Sequence, residues 1–174
     1  MKMKISIIIP AYNAAKTLRK CLNSVFSCKY KDFEVIVVSD GSRDNSVDIA
    51  KKYQCKVVDL ARNRGPAFAR NKGGRVAKGD ILFFIDADIK IKKNALTLIN
   101  KIFNKNPYIN VIQGVYSHKP VYKNITTQYQ QSFFCYYTWG LCNKYVSTLT
   151  TCCFAIRRET FLKNKRFKTM VDYI

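Results

Sequence analysis

Along the first two thirds of the chain, apolar positions alternate between two periods. Residues 5–9 (ISIII) form a compact β-branched run ended by Pro10, which reads as a short strand. Leu18, Cys21, Leu22, Val25 and Phe26 then recur at helical spacing, with Asn13 placed near the start as a cap. Residues 33–38 read as a second strand, closed by the turn residues Asp40-Gly41-Ser42. A short helix over residues 46–53 leads to a third strand at 57–60. The loop 61–66 opens a helix over 67–76, and Gly79 ends that unit. Residues 81–85 (ILFFI) are apolar throughout, as a central strand covered on both faces requires. Ala95, Leu98, Ile99, Ile102 and Phe103 mark a further amphipathic helix that stops near Pro107.

Strands alternating with helices through short connections predict an α/β fold, a mostly parallel central sheet with helices on both faces. In such sheets ligands bind beyond the carboxyl ends of the strands. The polar signals fall there: Tyr12-Asn13 after the first strand, Asp40-Gly41 after the second, Asn63-Arg64-Gly65 after the third, Asp86-Ala87-Asp88 after the fourth. The last third reads differently. Residues 111–116 and 150–156 are candidate strands and 158–163 a short helix, while 122–145 is dense in aromatics without clean periodicity. There is no internal repeat and no low-complexity linker, so residues 1–174 read as one domain.

The rim residues carry the candidate chemistry. Asp86 and Asp88 stand two apart at the end of an apolar strand, so the period-two geometry can aim both carboxylates the same way. Two hard oxygen donors on an open rim suit magnesium or manganese, which keeps waters and takes phosphate oxygens as further ligands. A solvated Asp-x-Asp turn is the plain alternative; the flanking FFI run and the other rim residues favour the metal. Asp40 beside Gly41 can accept from a base N–H while the glycine admits a flat ring, or it can simply cap a turn. Tyr12 either covers a base face or packs on the sheet edge. Arg64 and Arg70 are the cations placed to reach a diphosphate, or else solvated helix residues. Gly73-Gly74 inside a helical pattern points to close helix–sheet packing.

Charge and cysteine content narrow the class. Hydrophobic content of 48% places the chain among globular proteins rather than disordered ones. The excess of 31 Lys+Arg over 11 Asp+Glu gives a net charge of +20, a surface that attracts nucleic acid, an anionic leaflet or phosphorylated substrates. The seven cysteines show no paired metal-ligand spacing, and His118 stands apart from them. They read as reduced thiols in a cytoplasmic protein, with no cleaved signal peptide indicated. No apolar run reaches the ~18 residues of a spanning helix.

The stretches ISIIIPAYNAAKTLRKCLNSV, FEVIVVSDGSRDNS and NRGPAFARNKGGRVAKGDILFFIDADI, and more loosely TTCCFAIRRETF, resemble the inverting glycosyltransferases of family 2. That family includes the dolichol-phosphate mannose, cellulose, chitin and hyaluronan synthases. The resemblance implies the nucleotide-diphosphosugar transferase (GT-A) fold, with a nucleotide-sugar-binding part over 1–116 and a partial acceptor part over 117–174. It implies that Pro10, Ala11, Tyr12 and Asp40 line the nucleoside site, that Arg70 lies near the donor and Asp86 near the ribose, and that Asp88 holds a Mg or Mn ion. Transfer would proceed with inversion from a nucleotide-diphosphate sugar to a hydroxyl acceptor, polysaccharide or lipid-linked.

Departures from the pattern bear on catalysis. Ser39 stands where the family usually has the first of two acids. The acidic base expected after a Gly-Gly-Phe-Asp-like segment has no Glu-Asp pair here; that segment survives only as Asn164-Lys165-Arg166-Phe167-Lys168. Asp172 is the only acid after Glu159, and the Gln-x-x-Arg-Trp motif of processive synthases is absent. The resemblance therefore implies a catalytic domain incomplete at its carboxyl end, binding donor better than it transfers sugar. The aromatic segment 130–139 is open to three readings: an acceptor wall, a contact with an anionic membrane face on the cytoplasmic side, or packing under the sheet. Two other classes stay behind this one. A sugar-nucleotide nucleotidyltransferase would carry a Gly-rich basic loop after the first strand. A nucleic-acid-binding protein would not place two acids on a phosphate-facing rim, so no nucleic-acid partner is expected.

Overall fold

The structure, a computed structural model, describes residues 2–115, 151–164 and Phe167. The aromatic segment 130–139, His118 and the candidate base Asp172 lie outside the described residues. Six strands form one sheet in the order β3-β2-β1-β4-β6-β5. β1 (Ile5–Ala11), β2 (Phe33–Asp40), β3 (Lys56–Leu60) and β4 (Ile81–Ile85) run parallel. β6 (Cys153–Arg157) lies antiparallel to β4, and β5 (Val111–Gln113) antiparallel to β6. The helices are α1 (Ala15–Phe26), α2 (Ser46–Lys51), α3 (Pro66–Val76), α4 (Ala95–Lys105) and α5 (Arg158–Lys163).

The pleat of the strands sorts their residues into two cores. Ile5, Ile7 and Ile9 of β1, with Val35 and Val37 of β2, face Leu18 and Leu22 of α1, Ile49 of α2, and Leu96, Ile99 and Phe103 of α4. Ile8, Ile36 and Val38 face Ala69 of α3 and Phe161 of α5 on the other side. Helices therefore cover both faces, as the α/β alternation predicts. β4 sends Phe83 into one core and Phe84 into the other, which is why its sequence shows no polar alternation.

Several boundaries fall outside the sequence expectation for identifiable reasons. β1 continues through Pro10 to Ala11 because its pairing with β4 ends at Ile8↔Phe84, so a residue without an N–H costs no ladder bond on that side. β2 runs on to Asp40, and α3 takes Pro66 into its first turn. β5 ends at Gln113, and α2 at Lys51. Asn13 does not cap α1: the N-cap is Ala14, with no side-chain cap bond. Asn13 instead adopts φ +48° and accepts from the Arg43 amide through Oδ1 at 2.9 Å. Among the described residues no helix is long and apolar enough to cross a membrane.

Gly73 and Gly74 let α3 approach the sheet and α5. A Cβ on Gly73 would stand 2.4 Å from Ile8 Cγ2, and one on Gly74 2.5 Å from the Phe161 ring. Replacing Gly73 by Ala gains about 1 kcal/mol of helix propensity. That gain is outweighed, because Ile8 is fully buried and β-branched and cannot turn aside. Gly73→Ala is expected to lose about 1–3 kcal/mol overall, read as a lower urea midpoint at unchanged m-value.

Candidate active site at the switch between β1 and β4

From β1 the chain winds outward to β2 and β3, and then returns to lay β4 on the opposite side of β1. The strand order reverses between β1 and β4, which is where open α/β sheets bind ligands. The early end of their pairing leaves the two strand ends apart above Ile8. Pro10, Ala11 and Tyr12 stand on one bank, with Tyr12 51% exposed. Asp86, half-buried, and Asp88, exposed, stand on the other.

Asp86 is held from all sides. Its amide donates to the Cys152 carbonyl at 3.0 Å, and its carbonyl accepts from the Ile89 amide at 3.0 Å and the Cys21 thiol at 3.7 Å. Its Oδ1 receives Arg70 Nη2 at 2.6 Å, the one ion pair among the described residues. Burial raises the Asp86 carboxyl above the usual aspartate range; attraction and a hydrogen bond from Arg70 oppose this, and Asp88 adds to it. Arg70 itself is only 6% exposed, so it is an internal partner of Asp86 rather than a free cation on the rim. Its Nε is buried without a partner among the described residues.

Asp40 is also more deeply engaged than a turn residue. It is 3% exposed, and its Oδ1 and Oδ2 accept from the Arg64 and Gly65 amides at 2.9 and 2.8 Å. Gly65 is the N-cap of α3 at φ +87°, without a side-chain cap. A carboxylate from β2 thus satisfies amides at the start of that helix, while each oxygen keeps a second lone pair for a ligand. Gly41, at φ +70°, admits the same loop: a Cβ there would meet the Asn63 nitrogen at 2.5 Å. Arg64 stays exposed, its guanidinium 3.8 Å above the Phe68 ring.

A clasp between the β1–α1 and β2–α2 loops escaped the sequence reading. Asp44 Oδ2 accepts from the Ala15 amide at 2.9 Å, Ser46 Oγ from Ala14 at 2.8 Å, and Ser42 Oγ from Asn13 at 3.2 Å. The cap of α1 therefore comes from a loop about 30 residues away in sequence. Only the run of Asp, Asn and Ser after Gly41 hinted at it. Burial works against the Asp44 charge, but the Ser46 hydroxyl and the Ala15 and Ser46 amides outweigh it and hold the carboxyl below the usual range.

The described acids fit a divalent cation of the hard, hydrated kind. No group of three or more His, Cys, Asp or Glu side chains gathers among the described residues, so no closed protein cage is present. An exposed Asp88 beside an oriented Asp86 leaves most ligand positions to water and phosphate oxygen, as Mg and Mn accept. The thiols of Cys21 and Cys153 are held in the protonated form. Burial, with Asp88, Asp86 and Cys153 adding to it, pushes the Cys21 thiol up to about 12. Cys153, raised by burial, Cys152 and Asp86, also reaches about 12. Cys21, Cys28, Cys55 and Cys153 are free thiols.

Comparison with known proteins decides the family. The profile described as Glycosyl transferase family 2 matches residues 6–163. The chain belongs to that family. Family 2 relatives include the poly-beta-1,6-N-acetyl-D-glucosamine synthase of Staphylococcus epidermidis, 36% identical over 114 residues, covering 63% of this chain and 28% of the synthase. The crystal structure of S. aureus TarS 1–349 in complex with UDP-GlcNAc superposes with a TM-score of 0.72 at 26% identity, covering 95% of this chain and 49% of TarS. The mannosyltransferase PcManGT of Pyrobaculum calidifontis, solved with GDP-Man and Mn2+, gives a TM-score of 0.76 at 20% identity over 98% of this chain and 49% of its own; it shows the shared fold. The chain thus spans about half the length of these two solved structures and 28% of the synthase.

Two outcomes follow from the site geometry. In Asp40→Asn one end of the side chain still accepts, but its NH2 faces an amide N–H. The variant is expected to lose about 1–3 kcal/mol and to speed hydrogen exchange at the Gly65 amide. Asp44 has a depressed folded-state pKa, so its contribution is complete above the unfolded value of about 3.9 and is lost as pH falls through the lower folded value. Asp44→Asn should therefore flatten the acid limb of a stability-versus-pH curve below about pH 4.

Proposed function

We propose that this chain is the donor-binding part of an inverting glycosyltransferase that holds a nucleotide-diphosphosugar across the β1–β4 switch point with a divalent cation. What supports the reading is that Tyr12, Asp86 and Asp88 follow the carboxyl ends of β1 and β4 at the switch point, with Asp40 the last residue of the neighbouring β2 on the same edge of the sheet. The TarS complex with UDP-GlcNAc and the synthase named for an N-acetylglucosamine polymer support a uridine-diphosphate N-acetylhexosamine as the donor to try first.

In this reading Pro10 and Ala11 form the floor of the nucleoside site, Tyr12 covers the base, and Asp40 accepts from a base N–H through its remaining lone pairs. Asp86, turned by Arg70, addresses the ribose. Asp88 would hold the cation, with Arg64 near the diphosphate. The cation, when bound, supplies Lewis-acid charge that neutralises the departing nucleoside diphosphate. A general base takes the proton of an acceptor hydroxyl; Asp172 is the candidate within this sequence, and donor binding is stronger than transfer. The net charge of +20 suits an anionic acceptor or membrane face on the cytoplasmic side. The Pro10-Ala11-Tyr12-Asn13 turn, in place of a Gly-rich basic loop, argues against a nucleotidyltransferase.

Thermal unfolding with UDP, UDP-GlcNAc and GDP, each with and without manganese, tests the reading. At 100 times its Kd a ligand adds about 2.7 kcal/mol, which raises Tm by several degrees. The stabilisation is expected to need manganese and to vanish in Asp88→Asn. Stabilisation indifferent to both would remove the cation from the site.

A further inference from the structure

α4 carries two apolar stripes, and the sheet uses only one. Leu96, Ile99 and Phe103 are buried against it. On the outer side Leu98, Lys101, Ile102 and Lys105 stand at the i, i+3, i+4, i+7 spacing of a second stripe. Leu98 is 47% and Ile102 36% exposed, and Lys101 and Lys105 are exposed with them. Tyr108, three residues beyond the helix, is 95% exposed. A helix that only covers a sheet carries polar residues on its outer face, so packing of the sheet does not account for this second stripe.

Charge decides what the stripe fits. Residues 15–31 and 89–115 each carry five Lys or Arg and no Asp or Glu. α1 and α4, which lie within these segments, cover the same face of the sheet. Residues 89–94 bridge them: the Lys29 amide donates to the Lys93 carbonyl at 3.0 Å, and the Ile91 amide to Ser24 Oγ at 3.1 Å. The acids that border this surface are Asp32 after α1, Asp48 on the neighbouring α2, and Asp88. None of them is paired with a cation, since the Arg70–Asp86 bridge is the one ion pair among the described residues. We propose that the outer stripe of α4 is a docking surface for an anionic phospholipid leaflet. Leu98, Ile102 and Tyr108 enter the acyl boundary while Lys101 and Lys105 reach the headgroup phosphates. A protein partner fits this stripe less well, because interface cores are poor in lysine. A nucleic acid would meet the cations but would gain nothing from an exposed Leu and Ile. The proposal deepens the membrane-face reading of the net charge and rests on that part alone, not on donor binding.

The test is co-sedimentation of the full chain with vesicles of phosphatidylcholine, alone or with about one third phosphatidylglycerol, alongside binding of UDP with manganese. Two double variants alter the stripe: Leu98→Gln with Ile102→Gln, and Lys101→Gln with Lys105→Gln. All four positions are exposed, and glutamine keeps the helix propensity. A third, Lys72→Gln with Arg75→Gln, removes the same charge from exposed positions of α3 on the other face. Each cation near an anionic leaflet is worth about fivefold in partition, so loss of Lys101 and Lys105 is expected to weaken binding about 10- to 30-fold. Loss of Leu98 and Ile102 is expected to weaken it about 10-fold, and the α3 pair by no more than about threefold. UDP binding is expected to be unchanged throughout. Wild-type partition that ignores the anionic lipid would overturn the proposal, as would an α3 pair that matters as much as the α4 lysines. Unaltered vesicle binding by the Leu98 and Ile102 variant would overturn it too, and displacement of those vesicles by RNA would then assign the cations to nucleic acid. Dimerisation of the wild type in sedimentation velocity, abolished in that variant, would give the stripe to a second copy instead. Failure to bind UDP would overturn the donor-site reading alone, while the vesicle result still decides the stripe.

Discussion

Beyond Ile8, β1 keeps its ladder with β2 and loses the one with β4, and the binding region follows from that asymmetry. A sheet paired to its tips would have closed the rim. Here Pro10 contributes no N–H on the open side, so no buried donor is orphaned where the strands part. Ile9, Ala11, Ile85 and Ala87 fill the space beneath the gap from the α1 side. The gap is therefore floored by apolar packing and bordered by polar residues, which suits a ligand with a flat ring at one end and phosphates at the other.

The borders of the gap are held by side chains that reach across loops rather than along them. Asp40 of β2 fixes the start of α3, and Asp44 fixes the start of α1. Arg70 of α3 fixes Asp86. Each bond ties the end of one strand or helix to a different connection, so the rim is ordered before any ligand arrives. Rigid support of this kind places donors and acceptors with little further ordering on binding.

Much of this was legible in sequence because strand and helix periods are local properties. The ILFFI run announced β4, and the four polar turns announced the rim, since parallel strands must end at the same edge. The partners of those polar residues were not legible. Arg70 is a helix residue that sequence alone leaves on the surface, and its burial depends on Asp86 sixteen positions later. For Asp40 the sequence offers a base acceptor or a turn cap, but not a carboxylate at which α3 begins. The cap of α1 illustrates the same limit: Asn13 had the right identity and position, but Asp44 arrives through the fold and displaces it. Pairings between distant loops are set by topology, which no single window of sequence contains.

The insertion of β6 between β4 and β5 has a consequence for biosynthesis. β4 pairs with β1 on one side, but its other edge waits for residues 153–157, whose register places Ile85 against Cys153. While the ribosome completes the intervening stretch, that edge is an unpaired, wholly apolar strand next to a β1 whose only polar side chain is Ser6. The nascent chain therefore carries an aggregation-prone surface for several seconds at ordinary synthesis rates of about 5–20 residues per second. Arrival of residues 153–157 closes that edge, so the sheet is protected only once the last of its strands has been made.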